Sequence, residues 1–228
     1  MAKNIKNSII FGKNEINHLM LEVKSSNIYL HGASLFKFNI QTEDIKNLIE
    51  SAILDISEIV HNQKLTNIVL AGDEVLKYLF LLDGVNLPDY RVEILNRFKN
   101  FFDITLSNYY VDYEIYDFDN HKVVFVAGIL KSNLEKIIKP FRSNGFKLLS
   151  LETDINALKR LLGMYYKDDI VLGLYMRQND SVLIIFKGNV LLSFRELAVG
   201  YENILTYLKD VKNESIDIIE QKLISKKY

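Results

Sequence analysis

Cysteine is absent from this 228-residue chain, which excludes disulfides, thiol catalysis and thiolate metal sites and fits a reducing compartment. Proline occurs twice and glycine ten times, and no stretch rich in Pro, Gly or Ser marks a linker. Neither Gly-x-Gly-x-x-Gly nor Gly-Lys-Ser/Thr occurs, so the usual glycine-rich phosphate cradles are missing. No sign of charge prevails. With 28 basic and 29 acidic residues the net charge is −1, and no global field recruits nucleic acid or anionic lipid. Long apolar runs are missing too: the longest are strand-sized, far below the roughly 20 residues of a membrane-spanning helix. The first eight residues lack the apolar run of a signal peptide. The expected location is therefore cytoplasmic, with membrane association only through partners. The four histidines, His18, His31, His61 and His121, fall in different elements at non-matching spacings. Neither a metal site nor a histidine acid–base pair is expected from them.

What is present suffices for a core. Hydrophobic residues make up 49% and charged residues 25%, the balance of a globular chain of one large domain or two small ones. Period-two runs predict strands at Ser8–Phe11, Ile16–Val23 and Asn27–Phe38, with turns at Gly12-Lys-Asn14 and Lys24-Ser-Ser26. Thr42 is placed to cap a helix from Glu43 to about Asn62, and Thr66–Ala71 reads as a buried parallel strand. Pro88 suits the first turn of a helix to about Phe101, with Val92, Leu95 and Phe98 on one side. Strands Asn108–Asp117 and Lys122–Ile129 follow. A helix then runs from Ser132 to about Asn144, with a Ser132–Glu135 capping box and Gly145 as its stop. Strand Lys147–Glu152, a helix from Ile155 to about Tyr165, and helices Tyr201–Lys209 and Ser215–Lys227 complete the reading. The last helix carries Ile216, Ile219 and Leu223 on one stripe, the pattern of a surface helix.

Between Val171 and Gly200 lie short strands joined by the polar turns Arg177-Gln-Asn-Asp180 and Lys187-Gly-Asn189. This spacing resembles the second phosphate hairpin of the actin-like ATPases, in particular the type IV pilus protein PilM and its relative FtsA. Further segments resemble PilM in order: Asn67–Val75 its Ala-Leu-Pro-Gly strand and turn, Val123–Glu135 its Ala-Ala-Pro-Lys strand and helix, Leu149–Arg160 its Val-Asp-Val-Glu-Pro stretch, and Ala198-Val-Gly-Tyr201 its Pro-Ile-Gly-Gly. The resemblance implies an α/β chain with a truncated actin-like (ribonuclease-H-like) ATPase fold and a small α+β inserted subdomain. The expected boundaries are 1–78 for a first actin-like subdomain, completed by 144–163, then 79–143 for the insert and 164–228 for a partial second subdomain.

The nucleotide chemistry of that family does not carry over. Its hairpin ends the first strand on Asp followed two residues later by Gly; these places hold Tyr175 and Arg177 here. Its first loop, Asp-Ile-Gly-Ser-Ser-Ser, falls on Phe11–Asn17, leaving Gly12 and Lys13 in a degenerate loop. The chain also ends about where the subdomain completing the nucleotide cleft would begin. Glu152 and Asp154 stand where family carboxylates help to position the attacking water, and the plainer reading is a strand end plus a helix N-cap. Arg177 and Lys187 could meet an anion, but as turn charges they are read as solvated. No catalytic residue, metal or cofactor is assigned, and the resemblance points to a pseudo-ATPase.

The binding candidate is the alternating tyrosine strand. Tyr109, Val111 and Tyr113 share one face and, with Phe80 and Leu82 at the entrance to the insert, are expected to grip an extended peptide. A half-buried edge strand is the plain alternative. By resemblance, the partner is the cytoplasmic peptide of a PilN-like or GspL/GspM-like inner-membrane protein, with the secretion motor ATPase a further partner. The expected role is a bacterial cytoplasmic scaffold of a type IV pilus or type II secretion machine, peripheral at the inner membrane, with self-association through exposed strands. Two rivals stand beside it: an assembly ATPase that still binds ATP with magnesium, and an unrelated structural or interaction protein.

Overall fold

Alternation sets the first sheet. In Ile5–Phe11 (β1), the side chains of Ile5, Asn7, Ile9 and Phe11 turn inward and Lys6 outward, the period of two of a half-buried strand. The computed structural model describes residues 5–12, 15–24, 27–38, 45–60, 64–72, 74–82 and 90–225. Glu15–Lys24 (β2) and Asn27–Lys37 (β3) continue from β1 as an antiparallel meander. Leu65–Leu70 (β4) joins the other side of β1 in parallel, Ile9 opposite Ile68, and Lys147–Thr153 (β8) adds in parallel to β4. The sheet order is β3-β2-β1-β4-β8. The meander and the buried parallel strand are as the sequence predicts.

Two helices close one face of this sheet. Ile45–Val60 (α1) buries Ile49, Ala52, Ile53, Ile56 and Val60, a stripe at helical spacing. Lys131–Ser143 (α3) adds Leu134, Ile137, Ile138 and Phe141 to the same cluster. Each of these Val, Leu, Ile and Phe side chains contributes about 1.5–3 kcal/mol when fully withdrawn from water. The rings of Phe11 and Phe141 meet edge to face at 5.8 Å. Counted with the insert by sequence, α3 thus packs into the core of the large sheet.

A second sheet grows out of the first core. Val75–Leu81 (β5), Tyr109–Phe118 (β6) and His121–Leu130 (β7) form the order β5-β7-β6, all antiparallel, with Tyr90–Phe102 (α2) packed on it. Asp119 and Asn120, at φ 45° and 66°, make the two-residue hairpin turn, a conformation these side chains tolerate. Strand β5 is absent from the sequence reading, because Lys77 and a run of mixed apolar residues hide its alternation. The inward face of α2 also differs: Ile94 and Phe98 are buried, whereas Val92 is exposed. Phe98 lies directly on Gly128, where a Cβ would stand 2.7 Å from the ring.

The start of α3 departs from expectation as well. Because β7 stays paired through Leu130, opposite Tyr109, the chain passes straight into the helix. Ser132 lies within the first turn, and no side-chain cap forms at Leu130, so the capping box is not made. The other end is as predicted: Gly145, at φ 73°, stops the helix while Phe146 N–H donates to Phe141 O at 3.0 Å. Thr42 and Pro88 lie outside the described residues.

The chain divides into two compact units, Met1–Ala157 and Leu158–Tyr228, with the boundary inside Asp154–Gly163 (α4). In the second unit Ile170–Met176 (β9), Ser181–Lys187 (β10) and Val190–Leu197 (β11) form an antiparallel sheet of order β11-β10-β9. Val182, Ile184 and Phe186 are its buried face. Gly173 admits Leu162 of α4 against that face; a Cβ there would stand 2.7 Å from Leu162 Cδ1. Tyr201–Lys212 (α5) and Ile216–Ser225 (α6) follow, separated by Asn213 at φ 52°. Ile219 is buried while Ile216 and Leu223 stay exposed, as for a surface helix.

Candidate functional site

The small sheet of the first unit carries the residues singled out for peptide binding. Alternation puts Leu76, Tyr78, Phe80 and Leu82 on the same side of the sheet as Val124, Val126, Val111 and Tyr113. Helix α2 covers that side with Ile94 and Phe98. Leu82 is buried; Phe80, Val111 and Tyr113 are half-buried against the cluster, and Tyr109, on the same side of β6, is half-buried near its start. Four of the five residues thus sit in one cluster, and Tyr109 adjoins it in register.

Aromatic contacts fix this face. Tyr78 stacks on Phe80 at 5.0 Å and on Phe101 at 4.1 Å, and the Arg97 guanidinium lies 5.3 Å from the Phe80 ring. Arg97 also donates to Leu81 O at 3.1 Å and pairs with Glu93 at 2.6 Å, one turn back. The interior of the cluster is therefore filled by the chain's own helix. What stays reachable is the rim: β6 is an edge strand with Tyr110 exposed on it, and Phe101 of α2 and Leu81 of the other edge strand, β5, are exposed too.

The two hairpins expected to be degenerate nucleotide loops belong to different units. In the first, the Gly12 amide donates to Glu15 O at 2.9 Å and closes the β1–β2 turn on itself; Lys13 lies outside the described residues. In the second, Arg177 is buried, pairs with Asp180, and has its guanidinium 5.9 Å from the Tyr175 ring. Arg177 N–H donates to Asp180 O at 2.8 Å. The carbonyls of Arg177 and Gln178 accept from Tyr201 and Glu202 N–H, each at 2.9 Å, and the Gln178 amide donates to the Glu202 carboxylate. A helix N-terminus offers N–H groups and a positive dipole end to an anion. At α5 two of those groups, the Tyr201 and Glu202 N–H, are already taken by the hairpin turn. Gly200 makes this possible, since a Cβ there would lie 2.4 Å from Asp180 N. Arg177, expected to be solvated, is instead part of this interlock. The exposed Lys187 matches expectation in its exposure.

Asp154 does not lie open as a catalytic base would. Its Oδ1 lies 3.5 Å from the Lys77 ammonium, both side chains being buried, and Lys77 also donates to Gly72 O at 3.1 Å. The cap of α4 falls one residue earlier than expected: Thr153 Oγ1 accepts from Asn156 N–H at 3.2 Å, and Asp154 is the first helical residue. Lys77 escaped the sequence reading because its strand did.

Two of the described histidines, His18 and His31, are tied into the first sheet. His18 Nε2 and Asn7 Oδ1 are 3.0 Å apart under the first sheet, and Asn7 donates on to Leu65 O at 3.2 Å. His18 Nδ1 is buried without a hydrogen-bond partner, and burial pushes the His18 pKa down. His31 meets the buried Glu22 at 2.8 Å. Burial would raise the Glu22 pKa, but hydrogen bonds and charge from His31 and Lys24 outweigh it and hold the carboxyl below its ordinary range. His121 begins β7, and His61 lies outside the described residues. Among the described residues no group of three His, Asp or Glu could hold a metal ion, and no helix is long and apolar enough to cross a membrane.

Comparison with solved structures places this architecture. The PilM–PilN type IV pilus biogenesis complex matches 96% of this chain and 69% of its own chain, with a TM-score of 0.68 and 13% identity. A Bacteroides thetaiotaomicron protein of actin-like ATPase fold and unknown function matches 92% of this chain and 77% of its own, with a TM-score of 0.58 and 15% identity. The fold is that of the actin-like ATPases. The cytoplasmic domain of EpsL, an inner-membrane component of the Vibrio cholerae type II secretion system, matches 92% of this chain and 76% of its own, at a TM-score of 0.52 and 10% identity. No protein-family profile and no curated protein matches the sequence. The actin-like expectation from the hairpin spacing is thus correct at the level of fold.

Proposed function

We propose that this chain is an actin-like scaffold of a type IV pilus or type II secretion assembly that no longer hydrolyses ATP. The observation that carries the non-hydrolytic reading is the interlock of the β9–β10 turn with the start of α5. Turn carbonyls hold the Tyr201 and Glu202 N–H groups at the start of α5, and Arg177 is committed to Asp180. The assignment to an assembly machine draws on the likeness to the PilM–PilN complex and to EpsL, both parts of such machines by description.

Its partner is the cytoplasmic peptide of a PilN-like or GspL/GspM-like inner-membrane protein, taken at the small sheet of the first unit. Because α2 fills the cluster interior, the peptide adds along the β6 edge, where main-chain pairing supplies affinity and Tyr109 and Tyr113 supply flanking contact. A short segment held this way binds at roughly micromolar strength. The protein then sits in the cytoplasm, at the inner membrane through its partner.

Titration of the N-terminal peptide of the membrane protein encoded beside this chain tests the reading. Binding at micromolar concentration, weakened by Tyr109→Ala or Tyr113→Ala with the fold intact by circular dichroism, supports it. Unchanged binding moves the peptide elsewhere, and no binding removes the partner assignment.

A further inference from the structure

The outer surfaces of α1 and α3, side by side on the first sheet, carry opposite charge. On α1 the exposed residues past its middle are Leu54, Asp55, Glu58 and Ile59; on α3 they include Lys136, Lys139 and Arg142. The cations suit the negative end of their helix dipole. The acids do not. Helix α1 has no basic residue in its last turn, and Asp55 and Glu58 stand near the end where a carboxylate is disfavoured. Among the described residues Asp55, Glu58, Lys136 and Lys139 form no ion pair, and Arg142 approaches Glu135 only at 3.8 Å. Neither helix by itself accounts for this arrangement.

The two helices are aligned so that a second copy can match both charges. They lead into the parallel strands β4 and β8 and so run the same way. Their ends are level: Lys64 Nζ donates to Ser57 Oγ of α1 at 3.1 Å and to Asn144 O, just past α3, at 2.5 Å. Asp55 therefore stands at the height of Lys139, and Glu58 at that of Arg142. We infer that two copies pair face to face about a twofold axis running along the helices between α1 and α3, so that α1 of each lies on α3 of the other. A twofold contact requires one patch to complement itself, and this acidic–basic pair of helices does so. Asp55 then meets Lys139 and Glu58 meets Arg142, twice over, while Leu54 and Ile59, 53 and 45% exposed, lie on the aliphatic stems of the facing cations. A twofold axis across the helices would instead set α1 on α1, like charge on like. An anionic membrane or an acidic protein laid over this face would suit α3 but meet the carboxylates of α1 beside it. A second copy supplies both signs in the order required.

Exposed ion pairs are weak singly and are screened by salt. A dissociation constant on the order of 100 µM at low ionic strength is expected, with the dimer lost at high salt. Sedimentation velocity up to several hundred micromolar protein reads it. Two variants each reverse one helix at exposed positions: Asp55→Lys/Glu58→Lys and Lys139→Glu/Arg142→Glu. Each alone should raise the dissociation constant at least roughly tenfold, with the circular dichroism of the wild type. An equimolar mixture of the two should dimerise about as well as wild type, because the reversed α1 of one meets the reversed α3 of the other. A wild type that stays monomeric at low salt overturns the inference, as does a dimer that either reversed variant retains. A mixture that stays monomeric overturns it too, by placing the contact elsewhere than α1 on α3. The salt dependence of the wild type decides the matter even where a variant fails to fold: a dimer indifferent to salt does not rest on these charges. The contact uses neither β6 nor the β9–β10 turn, so its failure leaves peptide capture standing.

Discussion

Lys77 and Asp154 form an ion pair sealed from water, with Nζ 3.5 Å from Oδ1, that ties strand β5 of the small sheet to the first residue of α4. A buried pair of this kind adds little over a well-packed apolar pair, yet removing one partner strands a charge. Lys77→Met is therefore expected to cost about 3–5 kcal/mol in urea unfolding. The double variant Lys77→Met/Asp154→Leu should recover most of that loss. A single variant as stable as wild type would mean that the carboxylate reaches water by local opening.

Gly200 works by absence of a side chain. An added methyl would fall within 2.5 Å of Asp180 N, Asn179 C and Gln178 O, all rigid main chain of the β9–β10 turn. Gly200→Ala must push the turn off the start of α5, with an expected loss of about 1–3 kcal/mol. Amide exchange should then accelerate at Tyr201 and Glu202, whose N–H groups lose the Arg177 and Gln178 carbonyls. Unchanged protection at those two amides would contradict the interlock.

Much of the frame was legible because period and punctuation agree. The meander of β1, β2 and β3, the apolar β4, the Gly145 stop and the paired polar turns of the β9–β11 hairpins all carry local signals. What stayed hidden depends on distant partners. Strand β5 reads as an unpatterned apolar run until β7 is beside it, and Val92 looks inward until the sheet selects Ile94 and Phe98. Ser132 and Glu135 match a capping box, but pairing of Leu130 with Tyr109 moves the helix start ahead of them. In the site, spacing placed Tyr175 and Arg177 where the resemblance expects Asp and Gly. It could not show that Arg177 turns inward to Asp180, nor that α2 closes over Phe80 and Leu82.

His18 makes stability depend on acidity. Burial lowers its folded-state pKa, so between the unfolded value of about 6.5 and the lower folded value the unfolded chain binds more protons. The contribution is fully present above about pH 6.5 and is lost as pH falls through the folded pKa. Glu22 has its own lowered pKa, and its contribution disappears only further down, below the ordinary carboxylate range. Urea midpoints measured from pH 7.5 to 5.5 should fall for wild type and fall less for His18→Leu. Parallel curves would assign the slope to another group.

ATP is the sharpest discriminator between a scaffold and a surviving nucleotide switch. A ligand that binds only the folded chain stabilises it by about 2.7 kcal/mol at one hundred times its dissociation constant. For a chain of this size that raises the melting temperature by roughly 5 °C or more. At the start of α5 the Tyr201 and Glu202 N–H groups are bonded to Arg177 and Gln178, and the Gly12 amide is spent on Glu15. Neither hairpin keeps a free cradle for a phosphate at these groups, so millimolar ATP with magnesium is expected to leave the melting temperature within about 1 °C of the apo value. A shift of several degrees that depends on magnesium would require the turn to open and would return the protein to the assembly ATPases. Arg177→Gly separates the two cases further. If the guanidinium merely blocks the site, its removal should create ATP binding; if the α5 interlock excludes the phosphate, the variant should lose stability without gaining any.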